Sequence, residues 1–122
     1  MGEKILVVED EEKLRSLYQM KLEEAGYDVF TAGAGQRALE ILKNEPVDLV
    51  VLELELPDGS GFEYLQHFLN TKRNLKVIIN TAYPNYKMDF HSWTADAFLI
   101  KSTDLAELKN TIEVVLHSKV SS

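Results

Sequence analysis

The 122-residue chain predicts an open, doubly wound α/β domain built on one parallel sheet. Three observations carry that prediction. Short apolar runs recur along the chain, stretches of helical spacing separate them, and no repeat or linker interrupts the alternation. The strongest of these runs are continuously apolar, as a sheet covered on both faces requires.

The elements follow in order. Ile5 to Val8 is the first strand, and Leu14, Leu17, Tyr18, Leu22 and Ala25 stripe the first helix, with Gly26 as its C′ residue. Tyr27 to Thr31 alternates as the second strand. Ala38, Leu39 and Leu42 mark a helix that ends near Asn44, with Pro46 beyond it. Val47 to Leu54 is the third and most buried strand, leading through Glu55 into a Pro57-Asp58-Gly59 turn. Phe62, Leu65 and Leu69 give the third helix its face, and Leu75 to Asn80 is the fourth strand. Tyr83 to Thr94, which contains Pro84, Tyr86, Phe90 and Trp93, is read as a short fourth helix. Ala95 to Ile100 is the last strand. Leu105, Leu108, Ile112 and Leu116 stripe the final helix, with Ser102-Thr103 as its cap region. Five strands alternating with five helices, joined by right-handed crossovers, give a flavodoxin-like (βα)5 sheet of order 2-1-3-4-5. One domain is expected over residues 1–118, with a polar tail at 119–122.

Composition narrows the function. A formal charge of −7 argues against nucleic acid or an anionic membrane as the main partner. The absence of cysteine excludes disulfides, zinc thiolates and a cysteine nucleophile. The apolar part of MGEKILVVEDE is too short, and too soon acidic, for a signal peptide, so a cytoplasmic protein is expected.

In such a sheet the ligand site lies at the carboxyl ends of the strands. There the first strand ends in Glu9-Asp10, the third in Glu53, the fourth in Thr81 and the fifth in Lys101. Acids gathered on one rim repel unless a cation intervenes, and an all-oxygen cluster open to water suits Mg²⁺. A hydroxyl and an ammonium beside it suit a phosphoryl group, so the set describes magnesium-assisted phosphoryl transfer. Each residue taken singly has a plainer role: Asp10 as a helix cap, Thr81 as a strand former, Lys101 as a solvated cation. The coincidence of all of them at one rim favours a site.

With these residues in place, the chain resembles the receiver domain of two-component response regulators over essentially its whole length. KILVVEDE resembles the family's first strand and acidic pair, and DLVVLELELPDGSG its phosphoacceptor strand and loop. VIINTAY resembles the strand ending in the family's hydroxyl residue, and DAFLIKS the strand carrying its lysine. The resemblance implies Asp10 as a direct Mg²⁺ ligand, Glu9 as its partner acid, and the backbone carbonyl of Glu55 as a further ligand. It implies Thr81 as the residue contacting the phosphoryl group, Lys101 as its ion-pair partner, and Phe98 as a switch aromatic. It also implies a sensor histidine kinase or phosphotransfer protein upstream, an output domain or target protein downstream, and homodimer formation as one mode of output. A signalling role rather than an enzymatic one follows.

Position 53 departs from the family. Glu53 stands where the phosphoaccepting aspartate is expected, and its extra methylene carries the carboxylate about 1.5 Å further from the strand. In-line attack does not tolerate that displacement. The displaced carboxylate instead comes near Thr81 and Lys101, where it imitates a phosphoryl group in part. Two origins are open: a natural pseudo-receiver acting as an interaction module, or an introduced Asp-to-Glu replacement that mimics activation. The intact acidic pair, Thr81 and Lys101 favour the second. Ser102 follows Lys101 where many receivers have proline, and AYPNYKMDFHSW is unlike the usual fourth helix. A flavin- or nucleotide-binding domain of the same fold would need a glycine cradle after the first strand, where Glu9-Asp10-Glu11 stands. A magnesium-dependent phosphatase would need a DxD pair, which the adjacent Glu9 and Asp10 do not make.

Overall fold

A computed structural model describes residues 2–84, 95–102 and 104–117. The chain runs β1 (Lys4–Val8), α1 (Glu12–Glu24), β2 (Asp28–Ala32), α2 (Gly35–Asn44), β3 (Leu49–Leu52), β4 (Glu55–Leu56), β5 (Gly59–Ser60), α3 (Gly61–Thr71), β6 (Lys76–Thr81), β7 (Ala97–Ile100) and α4 (Ala106–His117). Five parallel strands form the sheet in the order β2-β1-β3-β6-β7, while β4 and β5 make a separate antiparallel pair. With that pair set aside, the order is the expected 2-1-3-4-5.

Strand periodicity divides the core into two layers. Leu6, Val8, Val50, Leu52 and Val77 point to one face, where α2 and α3 cover them with Ala38, Leu42, Leu65 and Phe68. Ile5, Val7, Leu49, Val51 and Ile78 point to the other, under Tyr18 and Leu22 of α1 and Leu108, Ile112 and Val115 of α4. Successive side chains of a strand face opposite ways, so two covered faces make every position apolar. This is why the strands read as unbroken runs.

Element ends follow local hydrogen bonding. Gly26 takes a φ of 100°, its N–H donating to the Glu23 carbonyl and that of Tyr27 to the Leu22 carbonyl. That is a Schellman closure of α1, and it moves the start of β2 to Asp28. The third strand is shorter than the expected Val47 to Leu54: it stops at Leu52, and the chain turns through the β4–β5 hairpin that no periodicity signalled. The last strand starts at Ala97, because the Asp96 carboxylate is engaged by the Val77 N–H. At the start of α4 the work expected of Ser102-Thr103 passes to Asp104, whose carboxylate accepts from the Ala106 N–H. Ser102 in turn accepts from the Asp104 N–H, and Thr103 lies outside the described residues. Of the expected fourth helix, residues 85–94 lie outside the described residues, as does the 119–122 tail. Among the described residues every peptide bond is trans, including the one between Lys101 and Ser102, and no helix is long and apolar enough to cross a membrane.

Candidate functional site

Backbone ladders carry the strand-end residues to a common edge. The Glu9 N–H donates to the Ala32 carbonyl, that of Glu53 to Val8, and that of Lys101 to Thr81, each extending a pairing one residue past its strand. Glu9, Glu53 and Thr81 are nearly fully buried there, at 1%, 3% and 0% exposed. Lys101 reaches in from β7 with its side chain 18% exposed, and Asp10 remains in solvent.

Glu53 is the centre of this cluster. Its Oε1 forms an ion pair with Lys101 Nζ. Its Oε2 accepts from the Thr81 hydroxyl at 2.8 Å, from the Leu54 N–H at 2.7 Å and from the Glu55 N–H at 3.2 Å. Lys101 Nζ also lies 2.7 Å from Glu9 Oε1, while Glu9 Oε2 accepts from the Glu11 N–H at 3.0 Å. Two carboxylates therefore share one ammonium. Among the described residues no buried side-chain oxygen or nitrogen lacks a partner. Burial by itself would lower the Lys101 pKa, but the hydrogen bonds and charges of Glu53 and Glu9 win and raise it above its ordinary value. Burial pushes Glu9 up, against the opposing pull of Lys101 and the Glu11 amide.

The donors around Glu53 make an anion pocket: one ammonium, one hydroxyl and two backbone N–H groups. Thr81 extends the network, since its hydroxyl accepts from the Tyr83 N–H at 3.4 Å. The residue types at this edge fit a hard divalent cation, and in this arrangement the Lys101 ammonium stands between Glu9 and Glu53. Glu9 and Glu53 turn their oxygens toward Lys101 and backbone amides. Among the described residues no three acids or histidines gather as a metal site. Asp10 alone of the three acids faces solvent. Phe98, half-buried on β7, pairs in register with Ile79. Glu55 contributes its N–H to the pocket.

Several contacts here had no sequence signal. Arg15 of α1 donates to the Glu9 carbonyl at 2.8 Å and to that of Asp10 at 3.4 Å. Asp58, read from sequence as a turn residue, accepts from the Gly35 and Gln36 N–H groups at the start of α2 and from the Tyr64 hydroxyl. It holds the loop after Glu53 against a helix that has no side-chain cap of its own. Helix α3 starts on Ser60, whose hydroxyl accepts from the Phe62 N–H.

The sequence profile of the response regulator receiver domain matches residues 5–113. The chain belongs to that family. The receiver domain is 34% identical over 121 residues to sporulation initiation phosphotransferase F of Bacillus subtilis, covering 98% of both chains. It spans only 20% to 52% of the length of seven further curated relatives. Among solved structures it superposes with a TM-score of 0.87 on the response regulator TrrA of Thermotoga maritima in complex with Mg²⁺-BeF, at 38% identity, covering 93% of this chain and 98% of that one. TrrA in complex with the histidine kinase ThkA gives a TM-score of 0.85 at the same identity and coverage. The fold and the two-component family therefore stand on independent findings.

Proposed function

We propose that this receiver domain is held in a phosphorylation-like state by its own Glu53. The observation that carries the reading is the double engagement of that carboxylate, with Lys101 on Oε1 and the Thr81 hydroxyl on Oε2. A phosphoryl group on a shorter side chain would need the same ammonium, hydroxyl and amide donors. Glu53 occupies them with one charge and two oxygens, so the imitation is partial. The domain acts by shifting a two-state surface through Thr81, Phe98 and the segment that begins at Tyr83. Its role is signalling rather than turnover, in the cytoplasm. A histidine kinase or phosphotransfer protein is its upstream partner, and an output domain or target protein its downstream one. The complex of TrrA with ThkA supports the upstream half.

Mg²⁺ belongs to the site restored by a shorter residue 53. Asp10, Glu9 and the Glu55 carbonyl are then the groups that would hold it, supplying charge neutralisation for an incoming phosphoryl group. The test is to treat the chain with Glu53 and its Glu53→Asp variant with acetyl phosphate and Mg²⁺ and to read intact mass. One added phosphate on Glu53→Asp, and none on the chain with Glu53, is expected. Labelling of the chain with Glu53 to the same extent, or none on Glu53→Asp, would overturn the reading. The second outcome would favour an interaction module independent of phosphate.

A further inference from the structure

Among the described residues the layer between the sheet and helices α1 and α4 is mostly apolar, with two buried tyrosines whose hydroxyls are hydrogen-bonded, Tyr27 to Glu113 at the rim and Tyr18 further in. There Asn80 Nδ2 donates to the Tyr18 oxygen at 2.9 Å, across 62 positions of sequence. Tyr18 is 1% exposed and Asn80 5%. The cavity beside them, lined by Leu99, Leu105 and Leu108 and also by Ser102, Asp104 and Glu107, measures about 10 Å³, about the least space one water needs. Two apolar side chains of similar shape would fill the position at little cost, whereas one polar group left alone is expensive. Packing therefore does not account for the pair.

Its position does. Asn80 immediately precedes Thr81 on β6, and neighbouring strand side chains face opposite ways. Thr81 binds Glu53 while Asn80 binds α1, so one strand end grips both. The charges of Glu9, Lys101 and Glu53 also reach the Tyr18 hydroxyl, whose pKa is raised first by burial, against the Asn80 hydrogen bond.

We propose that the Asn80–Tyr18 hydrogen bond carries the state of the carboxyl-edge site to α1, making Asn80 and Tyr18 positioning residues for a second output path. The proposal rests on the reading of Glu53 as the occupant of the Thr81 and Lys101 donors. A movement of Thr81 toward or away from that pocket drags Asn80, and with it the middle of α1.

The test is a cycle of amide NMR spectra on the full chain. Glu53→Ala, which releases Thr81, is expected to shift amides at residues 79–83 and also around Tyr18 in α1. In a Tyr18→Phe background the 79–83 response persists and the α1 response falls by more than half. Tyr18→Phe alone strands the Asn80 amide and lowers the folding equilibrium constant roughly tenfold. The double variant Tyr18→Phe/Asn80→Leu removes both polar groups, keeps the fold, and is expected to lose the α1 response equally. An α1 response unchanged by either background, or absent from the native one, overturns the proposal. Failure of Glu53→Asp to take up phosphate would overturn the functional reading alone, because this cycle does not depend on phosphorylation.

Discussion

Lys101→Met is expected to destabilise the domain by roughly 3–5 kcal/mol, the cost typical of breaking a buried ion pair from one side. The variant leaves Glu9 and Glu53 facing each other with no cation between them, both almost fully buried. For a domain of this size that is a fall in Tm of about 10–20 °C, read by thermal or urea unfolding. The loss should be smaller at pH 5 than at pH 8, since protonating one carboxylate relieves the repulsion. Alkali tests the native pair from the other side. The folded-state pKa of Lys101 is raised, so its stabilisation is complete below the ordinary value of 10.5 and is lost as pH rises through the folded value. Tyr18 and Tyr27 act with the same sign, because their raised pKa values keep the folded phenols neutral while unfolded ones ionise above 10.0. The native domain therefore weakens above about pH 10, and Lys101→Met weakens less steeply there.

The second large effect is expected at Gly61. A Cβ at this position would lie 2.7 Å from the Glu53 carbonyl oxygen and 2.7 Å from the Leu54 Cα. Both are backbone atoms, so no side-chain rotation relieves the contact. The Gly61 N–H also donates to the Leu54 carbonyl at 2.7 Å, clamping the start of α3 onto the loop that supplies two amides to Glu53. Gly61→Ala should cost about 1–3 kcal/mol in urea unfolding, as overpacking against unyielding neighbours does. It should also move the amide signals of Leu54 and Glu55. Retention of native stability and spectrum would mean that the loop is not clamped there.

The sheet, and the gathering of Glu9, Glu53, Thr81 and Lys101 at one of its edges, were legible because burial on both faces writes itself into sequence. Each of Glu9, Glu53, Thr81 and Lys101 is a polar residue at or just past the end of an apolar run, and an α/β sheet brings such ends together. Their partnership was less legible. A cluster of acids with one lysine suggested a metal, and the structure adds that Lys101 serves as a cation for both buried carboxylates. The shortened third strand follows from Glu53 turning its carboxylate back onto the next two amides, a local fold that apolar periodicity does not encode. Asp58 and Tyr18 act across 23 and 62 positions on groups in other elements, so only the packed structure joins them to their partners.

We propose that Glu53 fills the place of a phosphoryl group, and the most direct test compares amide spectra of three samples: the chain with Glu53, Glu53→Asp alone, and Glu53→Asp with Mg²⁺ and beryllofluoride. Thr81, Tyr83 and Lys101 are the reporters, since none neighbours residue 53 in sequence. If Glu53 imitates the phosphoryl group, the signals of the chain with Glu53 lie nearer the loaded variant than the empty one. Signals of that chain that coincide with empty Glu53→Asp would contradict the claim.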